Sequence, residues 1–315
     1  MAPKVISVVR SLSFRLIYWF ALKAVSRILM WLGILEKMVI IRMDGGICSQ
    51  MHFYLIGSMF EERGFRVKYD LSWFSSNGKD IDGRFPRNFD LTTAFPNLNF
   101  KKCSSFELLF YSSFEYKNNY FDDELEYIEK VPPIYMTVYY KDPKIMYKDL
   151  LPRIFKFNIN VFDDKNLQLY KEIINNGTSV AVHVRRGDLA RYNSAYGDPV
   201  SIDYFKNCIS VISEQQKDLH FYFFSDEPKW VESELIPQLA DVQKYEIVSI
   251  NGSEKGYMDL FLISSCTHQI TSKGSLGKYG AFINCVPSRK IFVCDDVVER
   301  EKWDGFSSNI IFVKG

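Results

Sequence analysis

The stretch Ser179–Asp188, S-V-A-V-H-V-R-R-G-D, decides the fold of this 315-residue chain. Its first half holds the apolar run Val180-Ala181-Val182, which Val184 continues, and this is typical of a strand buried on both faces of a parallel sheet. The residues from Arg185 onward then form the loop at the carboxyl end of that strand, where open α/β sheets bind ligands. The rigid donor fork of an arginine suits phosphate. The stretch therefore predicts an anion-binding site, and the alternative is a surface arginine pair neutralised by neighbouring acids.

The chain beyond this stretch alternates between short apolar runs and helical patterns. The predicted strands lie at 220–224, 245–250, 267–271 and 289–293, and the predicted helices at 201–216, 230–239 and 257–265. A glycine-rich turn at 272–281, S-K-G-S-L-G-K-Y-G-A, opens another helix. Repeated βα units of this kind form a parallel sheet whose two faces are covered by helices.

The first half of the chain opens in the same way. A strand at 38–43 leads into the turn Asp44-Gly45-Gly46, then a helix through Phe60 and a strand at 66–71. The two glycines allow the backbone to approach a ligand closely, but the spacing is not the G-x-G-x-x-G of dinucleotide-binding proteins. We therefore predict an α/β protein with an N-terminal region at 1–37 and two Rossmann-like domains at 38–177 and 178–315.

Polar residues follow three strands of the second half, at His183–Asp188, Ser225–Glu227 and Ser272–Ser275. Adjacent parallel strands bring such ends to one rim of the sheet. One group is cationic, one is acidic, and one is rich in glycine and hydroxyls. This combination suits a nucleotide diphosphate, because arginines and helix-start N–H groups bind phosphate and a carboxylate accepts hydrogen bonds from a base such as guanine.

The overall charge and the cysteine pattern exclude some classes of function. The net charge is +1, which gives no basic field to attract a nucleic acid. The cysteines include no C-x-x-C pair, so they predict neither a zinc site nor a disulfide framework, and we expect a reducing compartment. Asp80-Ile81-Asp82 is a D-x-D motif, which holds a divalent metal in some sugar transferases, but short acidic turns are common and we predict no metal. The six cysteines are Cys48, Cys103, Cys208, Cys266, Cys285 and Cys294.

The N-terminal region is basic and rich in aromatic residues. Five basic residues precede the first acid, Glu36, and interrupt the apolar residues between them. A membrane-spanning helix needs about 20 apolar residues in succession, and a signal peptide needs a small-residue cleavage site, which does not follow here. We expect residues 1–35 to form a helix that lies on an anionic membrane, with the protein peripheral on the cytoplasmic face. The alternative is a helix packed on the protein's own core.

Four motifs of the chain resemble the motifs of one enzyme family and occur in the same order along the sequence. H-V-R-R-G-D at 183–188 resembles the signature of the α-1,2-fucosyltransferases of glycosyltransferase family 11, and is related to the H-x-R-R motif of α-1,6- and protein O-fucosyltransferases. D-G-G-I-C-S-Q-M at 44–51, F-F-S-D-E at 223–227 and M-D-L-F-L-I-S-S-C-T-H-Q-I at 258–270, followed by G-S-L-G-K-Y-G-A, resemble three further family motifs. The departures are Cys48-Ser49 in place of Gly-Asn, Lys273 in place of Asn, and Lys278-Tyr279 in place of a Trp pair.

The resemblance implies a fold and a reaction. It implies a GT-B fold, in which two Rossmann-like domains face each other across a cleft. It also implies inverting, metal-independent transfer of L-fucose from GDP-fucose, with no further cofactor, to the 2-hydroxyl of a terminal galactose. The acceptor would be a surface glycan of the O-antigen or capsule type, including lipid-linked ones. The alternatives are a different donor sugar or linkage, or a sugar-nucleotide or glycan-binding protein without turnover.

The resemblance also gives the residues roles. Arg185 would stabilise the charge that develops on the leaving diphosphate, while Arg186 supports it. Donor binding is further predicted for His183, Asp226, Glu227, Ser275, Gly45 and Gly46, with Asp226 or Glu227 accepting from guanine and His183 either orienting the loop or touching the nucleotide.

An inverting transfer also needs a general base to remove the proton of the acceptor hydroxyl. Asp44 and Asp188 are the candidates. We favour a salt bridge to Arg185 or Arg186 as the role of Asp188. Asp44, at the tip of the first strand, is therefore the first candidate for the base.

Overall fold

A computed structural model of the chain describes residues 2–76, 78–79, 83, 86–116, 132–137, 150–191, 197–283, 286, 288–303 and 309–315, without the side chains of residues 2–16 and of Asp188. Asp80, Asp82 and Cys285 lie outside the described residues. The described strands are β1 (Met38–Arg42), β2 (Arg66–Asp70), β3 (Glu115–Tyr116), β4 (Ile134–Met136), β5 (Thr178–Val184), β6 (Leu219–Ser225), β7 (Tyr245–Val248), β8 (His268–Thr271), β9 (Ile291–Cys294) and β10 (Ile310–Val313).

The described helices are α1 (Ala2–Trp31), α2 (Ile47–Glu62), α3 (Ser72–Ser76), α4 (Leu91–Ala94), α5 (Ser105–Tyr111), α6 (Leu151–Ile154), α7 (Asp164–Asn175), α8 (Gly187–Arg191), α9 (Ile202–Gln215), α10 (Gly256–Ser265), α11 (Ser275–Ile283) and α12 (Val297–Trp303). Helical turns also run through Ser112–Phe114, Ile159–Val161, Pro228–Trp230, Val231–Leu235, Ile236–Gln238 and Ser253–Lys255. Within the described residues, none of the helices combines the length and the apolar character that crossing a bilayer requires.

The chain divides into two compact units. Unit 1 comprises residues 1–44, 49–77 and 99–143, and unit 2 comprises residues 45–48, 78–98 and 144–315. The strands described in each unit form one sheet in which all pairs are parallel, with the order β2-β1-β4-β3 in unit 1 and β10-β9-β8-β5-β6-β7 in unit 2. The predicted α/β class with two parallel-sheet units is therefore confirmed.

Strand β5 lies in the middle of the unit 2 sheet. Val180 and Val182 pack into one core cluster, whereas Ala181, between them, packs into another, and all three are fully buried. Alternate side chains thus face opposite sides of the sheet and both sides are covered, which explains the continuous apolar run. In the register of the sheet Val184 pairs with Ser225 of β6 and His183 pairs with Thr271 of β8, so the three strands end at the same edge.

The boundaries of the units differ from the predicted domain limits at 37/38 and 177/178. Residues 1–37 group with unit 1, and residues 144–177 group with unit 2. Helix α7 shows the reason, because its Leu169 and Ile173 join Ala181 and Leu262 in one core cluster of unit 2. The apolar face of an amphipathic helix predicts that the helix packs on a sheet, but the sequence of the helix does not identify which sheet.

Candidate functional site

The loop after β5 is tied to the loop after β8. The Arg185 N–H group donates to Ser272 Oγ (2.8 Å), and the Ser272 N–H group donates to the His183 carbonyl (3.0 Å). The Ser272 hydroxyl also lies 3.2 Å from His183 Nδ1. Burial and the positive charge of Arg185 lower the pKa of His183 to about 3, so the ring is neutral at physiological pH. These contacts are consistent with a role of His183 in orienting the loop, one of the two roles predicted for it, and both roles stay predictions.

Arg185 lies against the turn that opens α11. Gly274 has a φ of +115°, and a Cβ atom at this position would lie 3.0 Å from Arg185 Cδ. Glycine is therefore required here both for the backbone conformation and for the space. The arrangement holds the half-buried Arg185 beside the first residues of a nine-residue helix, whose free N–H groups bind anions.

Helix α11 packs very closely against β8 and α10. A Cβ atom at Gly277 would overlap the hydroxyl of Thr271 and lie 3.0 Å from His183 Nδ1. A Cβ atom at Gly280 would lie 2.7 Å from Cγ2 of Ile263. Because these two positions, one turn apart, are glycine, α11 packs closely enough on β8 and α10 for its first turn to lie at the edge of the sheet.

Arg186 is engaged by the segment that follows β6. Its guanidinium carbon lies 3.7 Å from the centroid of the Trp230 ring, and its Nε lies 3.6 Å from Glu227 Oε2. The same carboxylate binds Arg191, with 2.7 Å between Nη2 and Oε1. Stacking and charge pairing hold Arg186 in one orientation, which fits its predicted role as support for Arg185.

Asp226 holds the backbone of the arginine loop. Its Oδ1 accepts a hydrogen bond from the Arg186 N–H group (3.0 Å), and the Gly187 N–H group also donates to the carboxylate. Burial raises the pKa of Asp226, and these N–H groups offset part of that increase. The sequence predicts a guanine acceptor at Asp226 or Glu227. The structure shows in addition that each of them supports the arginine loop, a role that the sequence analysis missed.

The first residues of α2 also belong to this site, because Gly45–Cys48 group with unit 2. Cys48 forms a hydrogen bond with Ser275 and lies in the electrostatic fields of Arg185 and Arg87. Burial nevertheless raises the pKa of Cys48 to about 12, so it stays a thiol. The Cys48–Ser275 hydrogen bond places the start of α2 beside the start of α11 and within the electrostatic reach of Arg185, and the donor-binding roles of these residues stay predictions.

Arg87 is the site residue that sequence reasoning missed. A Cβ atom at Gly46 would lie 3.8 Å from Arg87 Nη1, so the guanidinium reaches the glycine turn that opens α2. Arg87 lies in R-F-P-R, a segment without helical or strand periodicity. The only signal in the sequence was a basic residue in a loop-rich region, and such a signal does not predict which part of the protein the loop contacts.

Asp44 lies at the end of β1 in unit 1. Its Oδ2 atom is 3.9 Å from Arg42 Nη2. Burial raises the pKa of Asp44, and Arg42 and His52 offset part of that increase. A carboxylate with a raised pKa is a stronger base, which suits the role predicted for Asp44.

The structure describes neither the side chain of Asp188 nor the D-x-D motif at residues 80–82. Asp188 is the second residue of α8, and its side chain lies outside the described part of the chain, so its salt bridge stays a prediction. In the part of the chain that the structure describes, no group of three His, Cys, Asp or Glu residues could hold a metal ion. Lys273, one of the departures from the motif, pairs with Asp296 at 3.2 Å.

Arg185, Ser275 and the starts of α2 and α11 thus lie together at the edge where β5 and β8 end, next to the acidic end of β6, and Arg87 reaches the glycine turn before α2. The family model of glycosyl transferase family 11 matches residues 109–302, well over half of the chain and all three strand ends. The chain belongs to glycosyl transferase family 11. In this family 11 chain the matched segment holds Arg185, Asp226 and Ser275, whereas Arg87 and Gly45–Cys48 precede it.

Curated relatives of the family 11 chain come from Escherichia coli. The O-antigen biosynthesis glycosyltransferase WbnK is 27% identical over 173 residues, which are 52% of this chain and 53% of WbnK, so the match spans about half the length of that relative. An alpha-1,2-colitosyltransferase is 24% identical over 264 residues, which are 78% of this chain and 88% of the relative. Among solved structures, the fucosyltransferase NodZ from Bradyrhizobium is similar at 14% identity with a TM-score of 0.44, over 84% of this chain and 97% of NodZ.

Proposed function

We propose that this family 11 chain transfers L-fucose from GDP-fucose to the 2-hydroxyl of a terminal galactose in a surface glycan of the O-antigen or capsule type. The transfer inverts the anomeric configuration and needs no metal ion. One observation carries the proposal: Arg185 lies where β5 and β8 end, within the electrostatic reach of Cys48 at the start of α2, which bonds to Ser275, and Arg87 reaches the same helix start at Gly46. That set of donors suits a diphosphate.

The chemistry follows from where charge develops. The acceptor oxygen bonds to the anomeric carbon as the bond from that carbon to the diphosphate oxygen breaks, and the diphosphate leaves with the bonding electrons. The guanidinium of Arg185 and the N–H groups at the start of α11 stabilise the added negative charge. The proton of the acceptor hydroxyl passes to a carboxylate, for which we propose Asp44, with Asp188 as the alternative.

The loop after β6 has two tasks in this proposal. Asp226 or Glu227 accepts hydrogen bonds from guanine, and both keep the arginine loop in place. Stacking of Arg186 on Trp230 gives the arginine loop a further contact with the segment that follows β6. Recognition of the guanine base and placement of Arg185 are then linked, because Asp226 and Glu227 take part in both and Arg186 connects them to Arg185.

A different donor sugar is the second candidate. The relative named alpha-1,2-colitosyltransferase matches 78% of this chain. Because the site described above contacts the diphosphate end of a donor, its residues do not distinguish fucose from colitose. The second candidate is therefore the same reaction with activated colitose as the donor.

The decisive experiment offers the protein GDP-fucose or GDP-colitose with a panel of galactosides. We expect a product only from GDP-fucose, with an α-1,2 linkage by NMR, and none from the matched 2-deoxygalactoside. Transfer from GDP-colitose alone would establish the second candidate. Tight GDP binding without any product would show a binding protein without turnover, and loss of activity in excess chelator would overturn the metal-free mechanism.

A variant at Arg87 tests the second cation of the site. We expect Arg87→Ala to lower kcat/KM for the donor by about 10- to 100-fold, because it removes a charged hydrogen bond to the diphosphate. Steady-state kinetics at varied GDP-fucose checks this, and Arg87→Lys should restore part of the loss. The matched control is Arg153→Ala, at an exposed position of the same unit. Equal kinetics of Arg87→Ala and the control would remove Arg87 from the site.

A further inference from the structure

Helix α1 has one face that packs onto unit 1. Ser26 is fully buried, and its Oγ atom lies 2.7 Å from the Leu22 carbonyl and 3.2 Å from the Phe110 carbonyl of α5. Leu29 and Met30 pack against the cluster around Leu35, Met38 and Tyr111. Positions 22, 26, 29 and 30 share one side of a helix. The second half of α1 is therefore held on the body of the protein, which is the packed arrangement that the sequence analysis gave as an alternative.

The remaining face of the same helix is apolar and exposed. Phe20 is 73% exposed and Trp31 is 84% exposed, and Ile17 and Ile28 are exposed at the same helical spacing. All residues from 17 to 21 are exposed, so this turn projects away from the described body. Exposed apolar side chains at helical spacing mark an interaction surface. We call Ile17, Phe20, Ile28 and Trp31 the apolar stripe.

The neighbouring helix α5 adds to the apolar surface of this unit. Its Phe110 carbonyl contacts Ser26 of α1, as described above. Phe106 and Leu109 of α5 are nevertheless about half exposed. Two helices packed against each other therefore both present large apolar side chains to solvent.

The charge of the segment determines which partner fits. Residues 1–35 contain five basic residues and no acid, and the chain as a whole carries only +1, so the rest of the protein is net negative. Arg27, next to the apolar stripe, is exposed. A second copy of the chain would place two such basic segments together, and like charges oppose that contact. An anionic surface with an apolar interior satisfies both the charge and the stripe.

We propose that residues 17–34 lie on a bilayer rich in anionic lipid, with the apolar stripe inserted into the interface and the exposed Arg27 at the headgroups, whereas Lys23 lies over the Phe114 ring of the protein. The cytoplasmic leaflet is the anionic one, so this is the face on which we place the protein. The proposal is independent of the donor and the acceptor.

The test compares two double variants. In F20S/W31S two exposed residues of the stripe become polar, and in V297S/V298S two exposed valines of unit 2 become polar as the matched control. Wild type and control should sediment with vesicles that contain phosphatidylglycerol and not with phosphatidylcholine alone. F20S/W31S should bind at least about tenfold more weakly. Deleting residues 1–35 is a poorer test, because it also removes the buried Ser26 and Leu35.

Four further measurements exclude a folding defect and a dimer and check the role of charge. Thermal unfolding and transfer to a soluble acceptor should be the same for F20S/W31S and wild type, and added salt should weaken vesicle binding of the wild type. Unchanged vesicle binding by F20S/W31S, or equal binding to both lipid compositions, would overturn the proposal. So would a wild-type dimer in lipid-free solution that F20S/W31S converts to a monomer, because the stripe would then bind a second copy.

Discussion

Replacing Arg185 in the Arg185→Ala variant is expected to lower kcat of sugar transfer by about a hundred- to a thousandfold. That is the usual cost of losing one donor aimed at the charge of a transition state. Arg185 is fixed by its N–H bond to Ser272 and by contact with the Gly274 turn, so both loops hold its side chain at this edge. Steady-state kinetics with GDP-fucose measures the loss of kcat, and calorimetry with GDP measures any loss of nucleotide affinity separately.

The neighbouring arginine provides the control for this prediction. Arg186→Ala removes the stack on Trp230 and the pair with Glu227, so we expect a smaller loss of about tenfold, through poorer placement of the loop. Arg185→Lys should recover only part of the activity, because an ammonium group lacks the planar fork. If transfer and GDP binding both survive Arg185→Ala, the assignment of the phosphate site to this loop is wrong.

The second large effect is expected at a residue that touches no substrate. Arg289 is 3% exposed, and its guanidinium donates to the Gly280 carbonyl (3.2 Å), the Ile263 carbonyl (3.1 Å) and Gln269 Oε1 (2.7 Å). Burial lowers the pKa of Arg289 to about 10, so it remains charged at neutral pH. We expect Arg289→Met to lower the free energy of unfolding by about 3–5 kcal/mol, because it fills similar space but removes the Arg289 donor from three buried acceptors, of which the Ile263 carbonyl keeps the Cys266 N–H group.

Urea denaturation measures this loss, and an exposed arginine of the same unit provides the comparison. Arg300 pairs with Asp295 in solvent and lies over the ring of Phe312, so Arg300→Met should cost about 1 kcal/mol or less. A similar cost for both variants would mean that the buried hydrogen bonds of Arg289 contribute nothing particular. The difference matters for the site, since Arg289 links α10, α11 and β8 behind the edge that we propose binds the diphosphate.

The strand ends were predictable because short-range rules govern them. Val180-Ala181-Val182 and Val184 before Arg185 are apolar on both faces of the strand, which indicates a strand covered on both sides, and parallel pairing then aligns its end with Ser225 and Ser272. The grouping of the three polar strand ends follows without any knowledge of the loops.

The loops themselves were not predictable in the same way. The contact of Arg87 with the Gly46 turn depends on the path of a segment without periodicity, and the partners of Asp226 are backbone N–H groups, which leave no mark in the sequence. The grouping of α7 with unit 2 depends on which of two similar sheets its apolar face meets. In each case tertiary contacts decide, and the local pattern is compatible with more than one outcome.

The glycines of α11 have a consequence for how the family can diversify. With Gly277 against Thr271 and Gly280 against Ile263, the helix has no room to shift, and any side chain at either position would push its first turn off the rim. In the proposed reaction the diphosphate of the donor is bound beside a helix that allows almost no substitution at these two positions. New sugar specificities must therefore arise by drift in other segments, and a deep mutational scan selected for donor exchange should leave these two positions unchanged while its hits accumulate elsewhere.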